Sequence, residues 1–323
     1  MNQYKYTTRI LGSAVGPLTS ILLFYLIGNS WSMTELKTVF VSGLLVSIPS
    51  ILMLSLFRDD KALGAESDIA HTNSYARLEE QETPVSTDEN ENGDYHLLEN
   101  TTANNASPIS YEDQDDAIVK SHSPSALYWV PRLLAFSDVV LALASGMTIK
   151  FFPLFFKEET LLAPIEVNVV FLTTSIGVAI TSVLARIVAP RIGGVRTMIA
   201  FYIPGVLLLA GMYCMSIGYD IKNGSVPLWR NEWVIVPVFV LRTSLMNCTP
   251  PIKKAIFMEH VPIAKRGRWS AFESLTRFGW SGSAFIGGLC VDKYGYGATF
   301  LITACLQAIG VVAIGIVGFF IDQ

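Results

Sequence analysis

The stretch 132–320, which opens RLLAFSDVVLALASGMTIKFF (132–152), decides the fold class of this chain. It carries six apolar segments of about 20 residues each, the length a helix needs to cross the hydrocarbon core of a bilayer. Two more segments precede it. Spans are expected at 10–27, 38–57, 132–155, 165–188, 197–218, 233–258, 270–290 and 298–320. A soluble core cannot absorb eight such segments in 323 residues, so an all-α polytopic membrane protein is expected. The hydrophobic fraction of 51%, the charged fraction of 15% and the mean hydropathy of +0.44 agree. MNQYKYTTRI leads straight into the first span, and the sequence shows no cleavable signal pattern there.

The net charge of −4 averages two unlike regions. Residues 58–125 hold 16 acidic and 4 basic residues; the rest hold 11 acidic and 19 basic. The acidic insert contains EEQETPVSTDENENGD and SYEDQDDA and lacks apolar runs, so it is expected to be a disordered linker between two bundles. Its Ser, Thr and Tyr residues beside acids admit two readings, phosphate acceptors or a plain tether. Basic residues set the orientation. Lys5 and Arg9 precede the first span, Arg186, Arg191 and Arg196 lie between the fourth and fifth, and Lys253, Lys254, Lys265, Arg266 and Arg268 lie between the sixth and seventh. These loops fall on one side, so the N-terminus, residues 58–125 and the C-terminus are expected to be cytosolic. Asn223-Gly-Ser is then the one glycosylation triplet on the opposite side. Cys214, Cys248, Cys290 and Cys305 lie in apolar segments at unrelated spacings and read as small buried residues.

A faint repeat links 10–57 with 270–320. Each is a pair of spans, and the first span of each has small residues four apart: Gly12, Gly16, Ser20 and Gly279, Ser283, Gly287. That spacing lines one helix face, where backbones can approach closely. A pair before a long cytosolic linker and a matching pair at the end of the chain is the layout of a transporter of two six-helix halves.

Residues 265–304, KRGRWSAFESLTRFGWSGSAFIGGLCVDKYGYGATFLITA, carry a family likeness. GGLCVDKYGYGATF resembles the end of the eleventh helix in the major facilitator superfamily, and RGRWSAFES resembles the basic loop and helix start before it. ARIVAPRIGGVR (185–196), with Arg186, Arg191, Gly193 and Arg196, looks like a degraded copy of that family's loop motif without its acid–basic pair. GSAVGP (12–17) resembles the fifth-helix motif of antiporters, but Ser20 and Ile21 replace its second half, so antiport does not follow. The resemblance implies that the eight spans are helices five to twelve and that helices one to four are missing. Residues 1–57 would be the last two helices of the N-terminal bundle, 58–125 the linker, and 126–323 a complete six-helix C-terminal bundle. It further implies secondary active or facilitative movement of a small solute by alternating access, in a chain that is a fragment of the full transporter. The alternative is a non-transporting membrane scaffold or regulator whose acidic loop binds partners.

Ionisable groups inside a span are costly and are functional candidates. Asp138 and Arg242 lie near mid-span. Two readings stand: both face a central cavity and set substrate or proton coupling, or each is a structural pair. Glu273 and Arg277 are spaced for a helical ion pair, either a gate brace or a static clamp. Pro250 and Pro251 interrupt a span after Asn247, Cys248 and Thr249, which fits a gating hinge. Asn168 and Gln307 could bond substrate or neighbouring helices, Trp280 could line the cavity, and Trp269 reads as an interfacial anchor. Lys150 can snorkel to the outer surface. The sequence has no phosphate loop, H-E-x-x-H or paired-cysteine motif, so an enzyme is not expected, nor is a cofactor or metal site. The expected partners are the lipid bilayer and a small solute, with or without a proton or other ion, and not nucleic acid.

Overall fold

A computed structural model describes residues 2–55, 124–217, 228–261 and 263–321. Every regular element among them is helical. In chain order these are α1 (Asn2–Ile27), α2 (Met33–Ser55), α3 (Pro124–Ile149), α4 (Phe152–Glu158), α5 (Pro164–Ile192), α6 (Gly194–Ile217), a 3-10 turn (Leu228–Arg230), α7 (Glu232–Asn247), α8 (Pro250–His260) and α9 (Ile263–Ile321). The acidic insert, but for its last two residues, and the Asn223 triplet lie outside the described residues.

Five stretches among the described residues are long and apolar enough to cross a membrane: Ser125–Glu158, Pro164–Ile192, Gly194–Ile217, Glu232–His260 and Ala271–Ile321. They overlap the segments expected after residue 130, and the last runs through both 270–290 and 298–320. Gly295, at φ 79°, breaks α9 between them. A positive φ of that kind is reached at little cost only by glycine. Gly12–Ile27 is a shorter apolar helix. The five stretches support an integral, multi-pass membrane protein.

The chain divides into two units, Met1–Phe40 with Ile109–Gln323, and Val41–Pro108. In the second, the described part of α2 is apolar and exposes Leu44, Leu45, Leu52 and Met53. In the first, α3 packs along α9, α9 also meets α6, α7 sits against both α5 and α6, and α1 lies along α5. Two bonds tie the α1–α2 loop to the α4–α5 loop and the start of α5: Trp31 Nε1 donates to the Leu162 carbonyl at 2.9 Å, and the Ile165 amide donates to Asn29 Oδ1 at 3.0 Å.

The helix ends follow local chemistry. Pro164 opens α5 where its missing N–H costs nothing, and Glu166 accepts from the Ala163 amide at 2.7 Å. Asn231 caps α7 by accepting from the Trp233 amide at 3.1 Å. Pro250 cannot extend α7 and instead starts α8. α5 is apolar on both faces: Val167, Val170 and Val178 point inward, while Val169, Ile176 and Ile180 are exposed. Such a helix suits lipid on its outer side rather than water.

A close backbone approach joins α3 to α9. A Cβ on Gly146 would stand 2.1 Å from the Trp280 carbonyl oxygen and from Ser283 Oγ, and one on Gly287 would stand 2.0 Å from the Met147 carbonyl oxygen. Ser283 and Gly287, two members of the small-residue stripe, therefore form this crossing.

Candidate functional site

The buried apolar side chains form two separate clusters. One gathers Leu134 and Leu141 of α3, Met198 and Phe201 of α6, Ile252 and Ile256 of α8, and Ile314 of α9. The other gathers Phe152, Phe155 and Phe156 of α4, Leu209 of α6, Phe239 of α7 and Phe300 of α9. Between them each helix contributes small or polar residues: Ser145 on α3, Thr174 and Gly177 on α5, Gly205 on α6, Arg242, Thr243 and Ser244 on α7, and Gln307 on α9. A polar layer thus divides the core at about half the depth of the spans.

Arg242 is the charge in this layer. It is 3% exposed, and Gln307 is fully buried. Arg242 Nη2 donates to Gln307 Oε1 at 3.5 Å, and Gln307 Nε2 donates to Ser145 Oγ at 3.2 Å, so one chain of polar contacts joins α7, α9 and α3. The guanidinium carbon lies 5.6 Å from the centre of the Phe152 ring, within cation–π range. Phe152 in turn stacks on Phe300 at 5.2 Å. Arg242 Nε has no hydrogen-bond partner, and neither do the hydroxyls of Thr243, Ser244 and Thr303. Among the described residues, no carboxylate stands within ion-pair distance of Arg242. An unmatched buried charge is expensive, which makes this the most unusual polar feature of the fold.

Asp138 is elsewhere. It forms an ion pair with Lys253 of α8, and Asp138 and Arg242 are not brought together. Above this pair Thr249 Oγ1 donates to Tyr202 Oη at 2.6 Å, at the break between α7 and α8. Lys253 lies inside the expected span 233–258 yet counts among the basic residues at its end; α8 runs on to His260, so Lys253 is a helical residue with only 20% of its side chain exposed. Charge counting by loop could not find it, but the spacing Pro250–Lys253, one helical turn past the break, is a usable signal.

The remaining candidates take simpler positions. Glu273 and Arg277 pair at 2.7 Å within α9, with 43% and 65% of their side chains exposed. Asn168 Nδ2 donates to the Pro164 carbonyl and Asn247 Nδ2 to the Thr243 carbonyl, each at 2.8 Å and each within its own helix turn. Trp280 is half-buried, and its carbonyl accepts from Ser283 Oγ at 2.9 Å. Lys150 Nζ lies 5.9 Å from the Trp280 ring centre. Pro250 and Pro251 form the first turn of α8. Arg186, Arg191 and Arg196 are exposed around Gly193, whose φ of 92° turns the chain between α5 and α6. Trp269 meets Phe257 edge to face at 5.3 Å.

At the opposite end of α3–α4, Tyr296 Oη donates to Glu158 Oε2 at 2.8 Å. The neighbouring Glu159 carboxyl is raised above its ordinary value by burial and by the Glu158 charge, with Arg230 partly offsetting both. No cluster of three or more His, Cys, Asp or Glu residues placed to hold a metal occurs among the described residues.

Comparison with family models, with curated proteins and with solved structures finds no match to this chain.

Proposed function

We propose that this chain serves transmembrane movement of a small solute by alternating access, in the manner of a major facilitator transporter. The polar layer carries the reading. A side chain as costly to bury as Arg242, held at mid-depth between two apolar clusters, suits a solute site that opens when those clusters part. The α7–α8 break supports it, because a helix interrupted by Pro250 beside Cys248 and Thr249 has a place to bend. On this reading residues 1–57 belong to one bundle and 126–323 to the other, and the termini and residues 58–125 face the cytosol. A solute or ion gradient supplies the energy. Asp138 with Lys253 belongs to coupling or gating, and Glu273 with Arg277 to the rim. The scaffold alternative rests on the acidic insert, which lies outside the described residues.

The test is flux. The purified full chain is reconstituted into liposomes and offered a mixture of small metabolites, with uptake read by mass spectrometry. The expected result is saturable uptake of a restricted set of solutes, accelerated when the vesicles are preloaded with the same solute. Flux that neither saturates nor responds to preloading, or none above protein-free vesicles, sinks the proposal.

A further inference from the structure

We infer that the layer around Arg242 is a binding site for a small monocarboxylate with an apolar body. The inference rests on the transport reading and names its solute class. Arg242 brings five N–H donors on a planar fork, yet the protein meets them with a single side-chain contact, the 3.5 Å approach of Gln307 Oε1, and leaves Nε unmatched. A residue 97% buried cannot draw on bulk water for the rest. The other charges of the core cancel each other, since Asp138 holds Lys253. The layer therefore carries one net positive charge, which one carboxylate neutralises. A phosphate monoester, at close to two negative charges near neutral pH, would leave the site overcharged.

Shape and surroundings point the same way. A guanidinium edge takes a planar carboxylate through two parallel hydrogen bonds, the arrangement that gives such pairs both strength and direction. Gln307, itself bonded to Ser145, meets the fork from one side. Phe152, Phe239 and Phe300 form a continuous aromatic wall beside it, with Phe152 ring centres 4.5 Å from Phe239 and 5.2 Å from Phe300. That wall suits an aliphatic or aromatic body more than a sugar. Entry requires the two apolar clusters to separate.

The test is binding, so it does not depend on flux. Thermal unfolding of the purified full chain in detergent is followed with benzoate and hexanoate, and with benzamide and hexanamide as their uncharged counterparts. The expected result is a saturable rise in melting temperature with at least one acid and none with its amide. Arg242→Gln should abolish that rise, and Arg242→Lys should weaken binding by about tenfold or more because it keeps charge but loses the fork. Gln307→Leu supplies a variant that leaves the charge intact and should lower affinity several-fold, because it removes the positioning contact. Without ligand, Arg242→Gln should melt at or above the parent temperature, because it removes an uncompensated buried charge. Equal shifts with acid and amide, a shift that survives Arg242→Gln, or no shift with either acid overturns the assignment. So does a ligand-free Arg242→Gln protein that melts far below the parent, which would make Arg242 a structural clamp. Saturable uptake of a cation or neutral solute alone would overturn the carboxylate and leave the transport reading standing.

Discussion

Gly287 lies so close beneath Met147 that a Cβ on it would stand 2.0 Å from the Met147 carbonyl oxygen. This is contact between two backbones, and no rotamer change can relieve it. Lipid-embedded helices gain their packing from such approaches because lipid is as apolar as the helices themselves. Gly287→Ala should therefore destabilise the α3–α9 pair by about 1–3 kcal/mol, the usual cost of overpacking. Gly282→Ala, five residues earlier and with nothing within 4 Å, is the control. It should be neutral or gain up to about 1 kcal/mol from helix propensity. Melting temperatures of the two purified variants decide the matter, and equal behaviour would rule out a tight crossing.

Asp138 and Lys253 offer a double-mutant cycle. Either Asp138→Asn or Lys253→Gln leaves a partly buried charge unmatched. Each should cost about 2 kcal/mol, less than the roughly 3–5 kcal/mol of a fully buried pair because both side chains keep some exposure. The double variant should recover much of that loss, and denaturation of all four proteins gives the coupling. Additive losses would show that the pair contributes nothing as a pair.

Glu159 sets a pH dependence. Its folded carboxyl titrates above the ordinary value, so the proton is held more tightly in the folded state than in the unfolded one. The stability this contributes is fully present below the ordinary carboxylate range and is lost as pH rises through the raised value. Glu159→Gln should therefore melt slightly higher than the parent at neutral pH, and the difference should vanish near pH ~4. The effect is small because the group is only partly buried and solvent still screens it. A difference that stays constant across this window would place its cause elsewhere.

Orientation is testable at two described positions. In a version with all four cysteines replaced, Thr34→Cys and Ile192→Cys should react with an impermeant thiol reagent from opposite faces of sealed vesicles, if the expected orientation, with 191–196 cytosolic and 29–37 outside, holds. Labelling of both from one face rejects the orientation.

Several of these features were legible in the residues themselves. The apolar segments can be read directly because hydrocarbon thickness imposes one length on all of them. The Glu273–Arg277 pair follows from helical spacing, and the Ser283–Gly287 contact from the four-residue stripe. The partner of Asp138 was not legible. Lys253 stands near the end of the expected span 233–258, where a lysine ordinarily reports topology, and its pairing with Asp138 exists only once α8 packs on α3. Nor could sequence reveal that Arg242 reaches Gln307, 65 residues away, or that Ser145 completes the chain. A serine among alanines and a glutamine in an apolar run have no periodic signature, and the layer exists only once the helices are stacked.

The interruption at Cys248 and Thr249 falls between the two charged sites, with Arg242 on one segment and Lys253 on the other. On the transport reading, an elbow there would serve as a clutch. Bending it would pull Lys253 from Asp138 while Arg242 kept its contact with Gln307, or the reverse. Two ionic contacts on a rigid rod would have to move together. On a jointed one they could be engaged in sequence, so that under the proposed function holding a cargo and releasing a latch would be separate strokes of the same span.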